Sequence, residues 1–183
     1  MRVITGTARG RVLKTLEGED VRPTTDRVKE AIFSIIQFEI EGRRVIDLFA
    51  GSGQLGIEAL SRGAAHATFT DMSTESVDIV KKNLLSTHLE KNAEVFRTDA
   101  VTFLRGNRKK FDIAFMDPPY SKGILQNTLP YVVDNMNEGG VIVCEHPYGE
   151  EMPQTVKNFS IYREYKYGKI GITVYRINGE AQK

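Results

Sequence analysis

The residues best suited to chemistry are Asp117-Pro118-Pro119-Tyr120, which directly follow the apolar run Phe111-Asp112-Ile113-Ala114-Phe115-Met116. A proline ring locks φ and removes an N–H donor, so two in succession hold the turn rigid. The Asp117 carboxylate and the Pro118 carbonyl can then accept both hydrogens of a planar NH₂ group. Tyr120 offers an aromatic face on which a flipped base can stack.

A second constellation lies upstream. Gly51-Ser52-Gly53-Gln54-Leu55-Gly56 matches G-x-G-x-x-G, placed after a strand-like run and before a helical one, and Asp71 follows twenty residues after Gly51. Glycines let the backbone approach a ligand closely, and an acid at that distance accepts the hydrogen bonds of ribose hydroxyls. NAD and S-adenosylmethionine both carry an adenosine, so this motif alone does not choose between them. Two further features do. Asp47-Leu48-Phe49-Ala50 puts a carboxylate just ahead of the loop, which suits a cationic sulfonium and ammonium better than a pyrophosphate. Thr98-Asp99-Ala100 adds an acid that can meet the exocyclic amine of adenine. Each acid alone reads as a cap or a solvated residue; three at successive strand ends strain that explanation. S-adenosylmethionine is the cofactor expected.

The elements that must position these residues alternate. Arg43 to Phe49, Ala67 to Asp71, Glu94 to Thr98, Phe111 to Met116 and Gly140 to Glu145 read as strands. Leu55 to Leu60, Thr74 to Leu85 (N-capped by Ser73), a short stretch from Val101 and Leu125 to Met136 read as helices. Such alternation argues for βαβ units and a mainly parallel sheet covered on both faces. Ligands bind at the carboxyl ends of such strands, which brings Asp117 to the same crevice as the glycine loop. Ser160 to Tyr167 and Ile170 to Arg176, separated by Gly168-Lys169, read as a closing antiparallel hairpin. At the front, Arg2 to Thr5 and Arg11 to Lys14 flank a Gly6…Gly10 turn and can pair. Thr24 then caps a helix with Asp26 in its first turn and an apolar stripe of Val28, Ile32, Ile35 and Ile36. The expected architecture is a Rossmann-like α/β fold with a seven-stranded sheet. Residues 1–40 form an N-terminal extension and 41–183 the catalytic domain.

Composition excludes several classes. With 40% hydrophobic and 27% charged residues the chain is neither disordered nor membrane-embedded, and 183 residues suit one sizeable core. A net charge of +1 gives no global field for nucleic acid, so any such contact is local. The single cysteine, Cys144, sits in an apolar run and reads as buried. His66, His88 and His146 lack metal-ligand spacing, so no metal is expected. No leader-like or membrane-spanning run is evident, which makes a cytoplasmic location and no membrane partner the expectation.

Asp47-Leu48-Phe49-Ala50-Gly51-Ser52-Gly53 together with Asp117-Pro118-Pro119-Tyr120 resembles the class I aminomethyltransferases of the (D/N)PP(Y/F) group. These act on amines of DNA adenine and cytosine, rRNA guanine and protein glutamine. One branch fits nearly end to end. Gly10-Arg11-Val12-Leu13 and Arg22-Pro23-Thr24-Thr25-Asp26-Arg27-Val28-Lys29-Glu30-Ala31-Ile32-Phe33 resemble the N-terminal signature of the RsmD family, which methylates a guanine N2 amine in bacterial 16S rRNA. Asp71 stands where many relatives carry Glu, and Tyr120 where some carry Phe. The resemblance implies that Asp47, Gly51 and Gly53 serve the methionine end of the cofactor, Asp71 its ribose, and Asp99 with Ala100 its adenine, with Phe49 and Met72 also binding the cofactor. It implies that Asp117, Pro118 and Tyr120 are catalytic, and that Arg22, Thr24, Arg27 and Pro119 meet the substrate. The partner implied is 16S rRNA or a 30S particle or assembly intermediate, met by a monomer. A DNA or other amine methyltransferase is the alternative, although the chain has little room for a separate recognition region. Arg2, Arg9, Arg11 and Lys14 make a basic arm able to clasp phosphates. Arg105, Arg108, Lys109 and Lys110 precede the fourth strand and read as a solvated face away from the site.

Overall fold

The sheet is built from four short parallel βα units and an antiparallel closing section. In the computed structural model, residues 1–16, 25–120 and 123–178 are described. Helix α1 (Thr25–Ile35) precedes strand β1 (Arg44–Asp47), α2 (Gln54–Ser61), β2 (His66–Asp71), α3 (Thr74–Thr87), β3 (Ala93–Arg97), α4 (Ala100–Gly106) and β4 (Phe111–Met116). Then come α5 (Ile124–Asp134), β5 (Met136–Pro147), β6 (Thr155–Val156), β7 (Phe159–Tyr167) and β8 (Ile170–Ile177). The strand order is β3-β2-β1-β4-β5-β8-β7-β6. β1 pairs in parallel with β2 and β4, and β8 runs antiparallel between β5 and β7. The order reverses between β1 and β4, and there a crevice opens at the carboxyl ends of the strands.

Alternating burial explains why both faces are covered. On β4, Ile113 and Phe115 join one apolar cluster while Phe111, Ala114 and Met116 join the other. On β5, Val141 and Val143 face the first, and Ile142 and Cys144 the second. The first cluster takes the apolar stripe of α1 (Val28, Ile32, Phe33) together with α2 and α3; the second takes α4 and α5. Cys144 is fully buried, as its apolar run implies.

The expected elements are present with local differences. The seven expected strands are joined by an eighth, the two-residue β6, which pairs only with β7. The expected helix to Met136 ends at Asp134 because Asn135 closes it: its side-chain amide donates to the Leu104 and Tyr131 carbonyls, and Met136 already belongs to β5. The front segments pair as expected, in a short antiparallel hairpin around the Arg2–Val12 bridge, with Val3 N–H donating to the Arg11 carbonyl, Gly10 N–H to Val3 and Leu13 N–H to Met1. Its outer edge is claimed by Glu58 of α2, whose carboxylate accepts the backbone N–H groups of Ile4 at 2.8 Å and Thr5 at 3.0 Å. Ile35 of the expected α1 stripe is only half-buried, whereas Val28, Ile32 and Ile36 are buried. Thr24, the expected cap of α1, lies outside the described residues.

Candidate active site

A cavity of about 930 Å³ opens at the carboxyl ends of β1, β2, β3 and β4. Asp47, Phe49, Gly51, Asp71, Met72, Asp99, Ala100, Asp117, Pro118, Pro119 and Tyr120 all line it. Residues separated by more than seventy positions therefore meet at one place, as the strand-end rule anticipates.

The turn after β1 is shaped by backbone conformation. Gly51 has φ 52° and Gly53 φ 79°, in the left-handed region where a β-carbon is disfavoured. A β-carbon on Gly51 would meet no protein atom within 4 Å, and the residue lines the cavity, so its bare backbone is offered to a ligand. Gly53 is different. It is buried and absent from the cavity wall, and a β-carbon there would come 3.1 Å from the Val80 side chain. It shapes the turn from beneath.

Each acid is held in its own way. Asp71 braces the glycine turn, with Oδ2 accepting the Gly51 N–H at 2.9 Å and Oδ1 the Ser73 N–H at 2.8 Å. Asp47 is 2% exposed and accepts the Gly56 N–H at 3.1 Å. Burial pushes its carboxyl up to about 7; the Gly56 hydrogen bond pulls the other way and the Asp71 charge adds to the rise. Asp99 caps α4, its Oδ1 accepting the Thr102 N–H at 2.8 Å, and those hydrogen bonds hold its carboxyl below the usual range. The cap reading and the cavity-lining reading are thus both true of Asp99. Gln54 Oε1 is a buried acceptor at the cavity wall with no hydrogen-bond partner among the described residues. Such an atom is open to a donor from water or from a ligand in the cavity.

The Asp117 turn is graded in exposure: Asp117 is half-buried, Pro118 buried, and Pro119 and Tyr120 exposed. Arg27 is exposed and does not line the cavity. Arg22 and Thr24 lie outside the described residues.

Three charged residues of the wall escaped the sequence reading: Glu75 in the first turn of α3, Glu145 and Lys29. Glu145 follows the same strand-end rule, one strand further on, and was readable by it. Lys29 is 1% exposed, donates to the Arg2 carbonyl at 2.6 Å and pairs with Glu58 at 3.7 Å. Its local signal was a charge set between Val28 and Ile32 on the buried face of α1. Burial lowers its ammonium pKa, against the pull of Glu58 and Asp26.

These residues fit an adenosyl cofactor with a cationic end: a bare-backbone turn, a strand-end acid braced beside it, a buried carboxylate and an unpartnered acceptor. Among known proteins, residues 1–176 match the family model described as conserved hypothetical protein 95. The chain is 43% identical to the Bacillus subtilis protein YlbH, over 98% of this chain and the full length of that one. It is 35% identical to the ribosomal RNA small subunit methyltransferase D of Escherichia coli, over 100% of this chain and 92% of that one. The solved structure of the Escherichia coli protein yhhF superposes with a TM-score of 0.87 at 36% identity, covering 98% of this chain and 99% of that one. Matched over nearly its whole length in both sequence and fold, the chain belongs to the RsmD family of S-adenosylmethionine-dependent rRNA methyltransferases.

Proposed function

We propose that this protein methylates the exocyclic N2 amine of a guanine in bacterial 16S rRNA, presented within the small subunit or an assembly intermediate. The observation that carries the reading is the shared cavity: Asp117-Pro118-Pro119-Tyr120 lines the same space as Asp47, Gly51, Asp71 and Asp99. An amine and a cationic cofactor can therefore be held side by side.

When bound, S-adenosylmethionine supplies an electrophilic methyl group. Asp47 and Gln54 would hold its charged end, Gly51 its backbone-facing edge, Asp71 its ribose, and Asp99 with Ala100 its adenine, with Phe49 and Met72 packing alongside. The guanine amine is a poor nucleophile because its lone pair is delocalised into the ring. Asp117 and the Pro118 carbonyl accept its two hydrogens, which draws nitrogen toward tetrahedral geometry and turns the lone pair toward the cofactor side. Tyr120 stacks on the base and Pro119 bounds its edge. No covalent enzyme intermediate is needed; acceleration comes from orientation and fixed dipoles. Asp117 need not deprotonate the amine first, since the alkylated nitrogen sheds its proton readily. The basic arm and Arg27 would meet RNA outside the cavity, and Arg22 and Thr24 would also serve the substrate. We further read the protein as a cytoplasmic monomer, with residues 1–40 an extension of the catalytic domain. No helix among the described residues is long and apolar enough to cross a membrane.

The test is transfer of labelled methyl from S-adenosylmethionine to 30S particles, deproteinised 16S rRNA, DNA and a protein extract, with nuclease mapping of the product. N2-methylguanosine in 16S rRNA supports the reading, and the preferred RNA form shows whether the assembled particle is recognised. Label only in DNA or protein overturns the substrate and leaves the cofactor.

A further inference from the structure

The antiparallel end of the sheet stands above the target side of the cavity. The pairing of β4 with β5 ends at Met116 and Cys144, but β5 continues to Pro147, which pairs with Ile170 at the start of β8. Three further residues at about 3.3 Å each lift the Gly168-Lys169 turn roughly 10 Å past the end of β4. This crest is continuous with the site. Ile170 lines the cavity, and Pro147 and His146 line a smaller cleft shared with Pro118, Pro119 and Tyr120.

Both flanks of the crest carry aromatic rings, one of them beside a cation. On one, Lys166 Nζ lies 3.9 Å from the centroid of Tyr148, a ring 56% exposed whose backbone N–H donates to the Lys169 carbonyl at 2.8 Å. On the other, Tyr165 and Tyr167 stack with centroids 6.4 Å apart. Tyr167 pairs with Ile170, which puts this flank on the cavity side. Lys166 and Lys169 are exposed at the turn, whereas Arg176 of β8 is held by Glu39 and the acids Glu150 and Glu151 follow Tyr148, so the excess charge at the crest is that of the two lysines. In a chain whose charges otherwise nearly balance, that is a local positive ridge.

We infer that this ridge, with Tyr148, Lys166 and Lys169 at its crest and Tyr165 with Tyr167 on its inner flank, is the surface that grips the RNA strand on either side of the target nucleotide. The inference rests on the proposed rRNA substrate. The chemistry matches single-stranded or looped RNA: rings stack on unpaired bases and cations track the phosphates, without sequence reading. The ridge also supplies what a nearly neutral methyltransferase needs, a local anchor next to the pocket that takes the flipped base.

The test uses the full chain, with 30S particles and deproteinised 16S rRNA from cells lacking this enzyme. The wild-type product is mapped first. Its failure to form N2-methylguanosine would remove the substrate reading, and the ridge with it. Given that product, the double variant Lys166→Glu/Lys169→Glu should raise KM by about tenfold or more for both RNA forms and lower the salt slope by about two. Cofactor affinity and melting temperature should not move. Tyr148→Ala should raise KM, whereas Tyr148→Phe should not. As a control, Lys109→Glu/Lys110→Glu, at the opposite end of the strands, should leave KM within about twofold, since its charges lie away from the cleft. An unchanged KM in the ridge variants, an equal rise in the control, or a rise confined to intact particles would overturn the ridge and leave the substrate reading standing.

Discussion

Asp47 and Gly56 are joined by a 3.1 Å hydrogen bond from the backbone N–H of α2 to a carboxylate that is 2% exposed. The acid that faces the cofactor cavity from β1 is thereby fastened to the helix that follows the glycine turn. One N–H does not compensate for its burial, which leaves the carboxyl pushed up to about 7. The site stores an acid that a bound cation would ionise.

A pH dependence follows. Because the folded pKa lies above the unfolded value near 3.9, this group's contribution to stability is full below about pH 4. It is lost as pH rises through about 7. A bound cation favours the ionised form, so affinity for S-adenosylmethionine should rise with pH through the same window. Thermal melts from pH 5 to 8, with and without the cofactor, read both effects, and Asp47→Asn should flatten each. A wild-type affinity that does not vary across this range would refute the coupling.

Asp117→Ala should lower the methylation rate by about 10²–10⁴-fold, the range for a positioned polar group at the reacting atom. Cofactor binding, measured by calorimetry, should be nearly unchanged, because the Asp71 and Asp47 contacts remain. Near-normal turnover would remove Asp117 from its assigned role.

Glu58 is fully buried and serves four partners: the N–H groups of Ile4 and Thr5, Arg62 Nε at 2.8 Å and Lys29 at 3.7 Å. Glu58→Ala leaves Lys29 without its counter-charge and two backbone donors unmet. Removing one member of a buried pair costs about 3–5 kcal/mol. Denaturant unfolding should show that loss, and hydrogen exchange should show the first arm released. A cost under about 1 kcal/mol would mean that water replaces the carboxylate.

Gly56 illustrates close packing rather than unusual backbone. A β-carbon there would fall 2.2 Å from Cε1 of Phe69, a fully buried ring on β2. Gly56→Ala should therefore cost about 1–3 kcal/mol from overpacking. It should also weaken the cofactor, since the shifted helix carries the N–H that Asp47 accepts. Equal stability and affinity in that variant would show that the ring moves freely aside.

Much of this was legible from residue types and spacing. The glycines at 51, 53 and 56 were readable as a backbone that a ligand approaches closely, while their separate roles in turn conformation and helix–strand contact came only with the fold. The alternation of apolar runs placed Asp47, Asp71, Asp99 and Asp117 at strand ends, where the parallel fold brings them together. These are local signals: periodicity and turn chemistry report the environment of each short segment by itself. Partners across the chain leave no such trace. Glu58 and Ile4 are 54 positions apart, and neither residue announces the other. Lys29 lies on the apolar face of α1, but its partners, the Arg2 carbonyl and Glu58, are 27 and 29 positions away. Arg27, grouped with the substrate residues by resemblance, is exposed and stands outside the cavity wall. The height of the β7–β8 turn above the site depends on how far β5 outruns β4, a register set between strands. Sequence thus determined which residues could perform the chemistry and at which end of the sheet. Tertiary structure decided which charges are buried and paired, because burial and long-range pairing depend on what other segments pack against them.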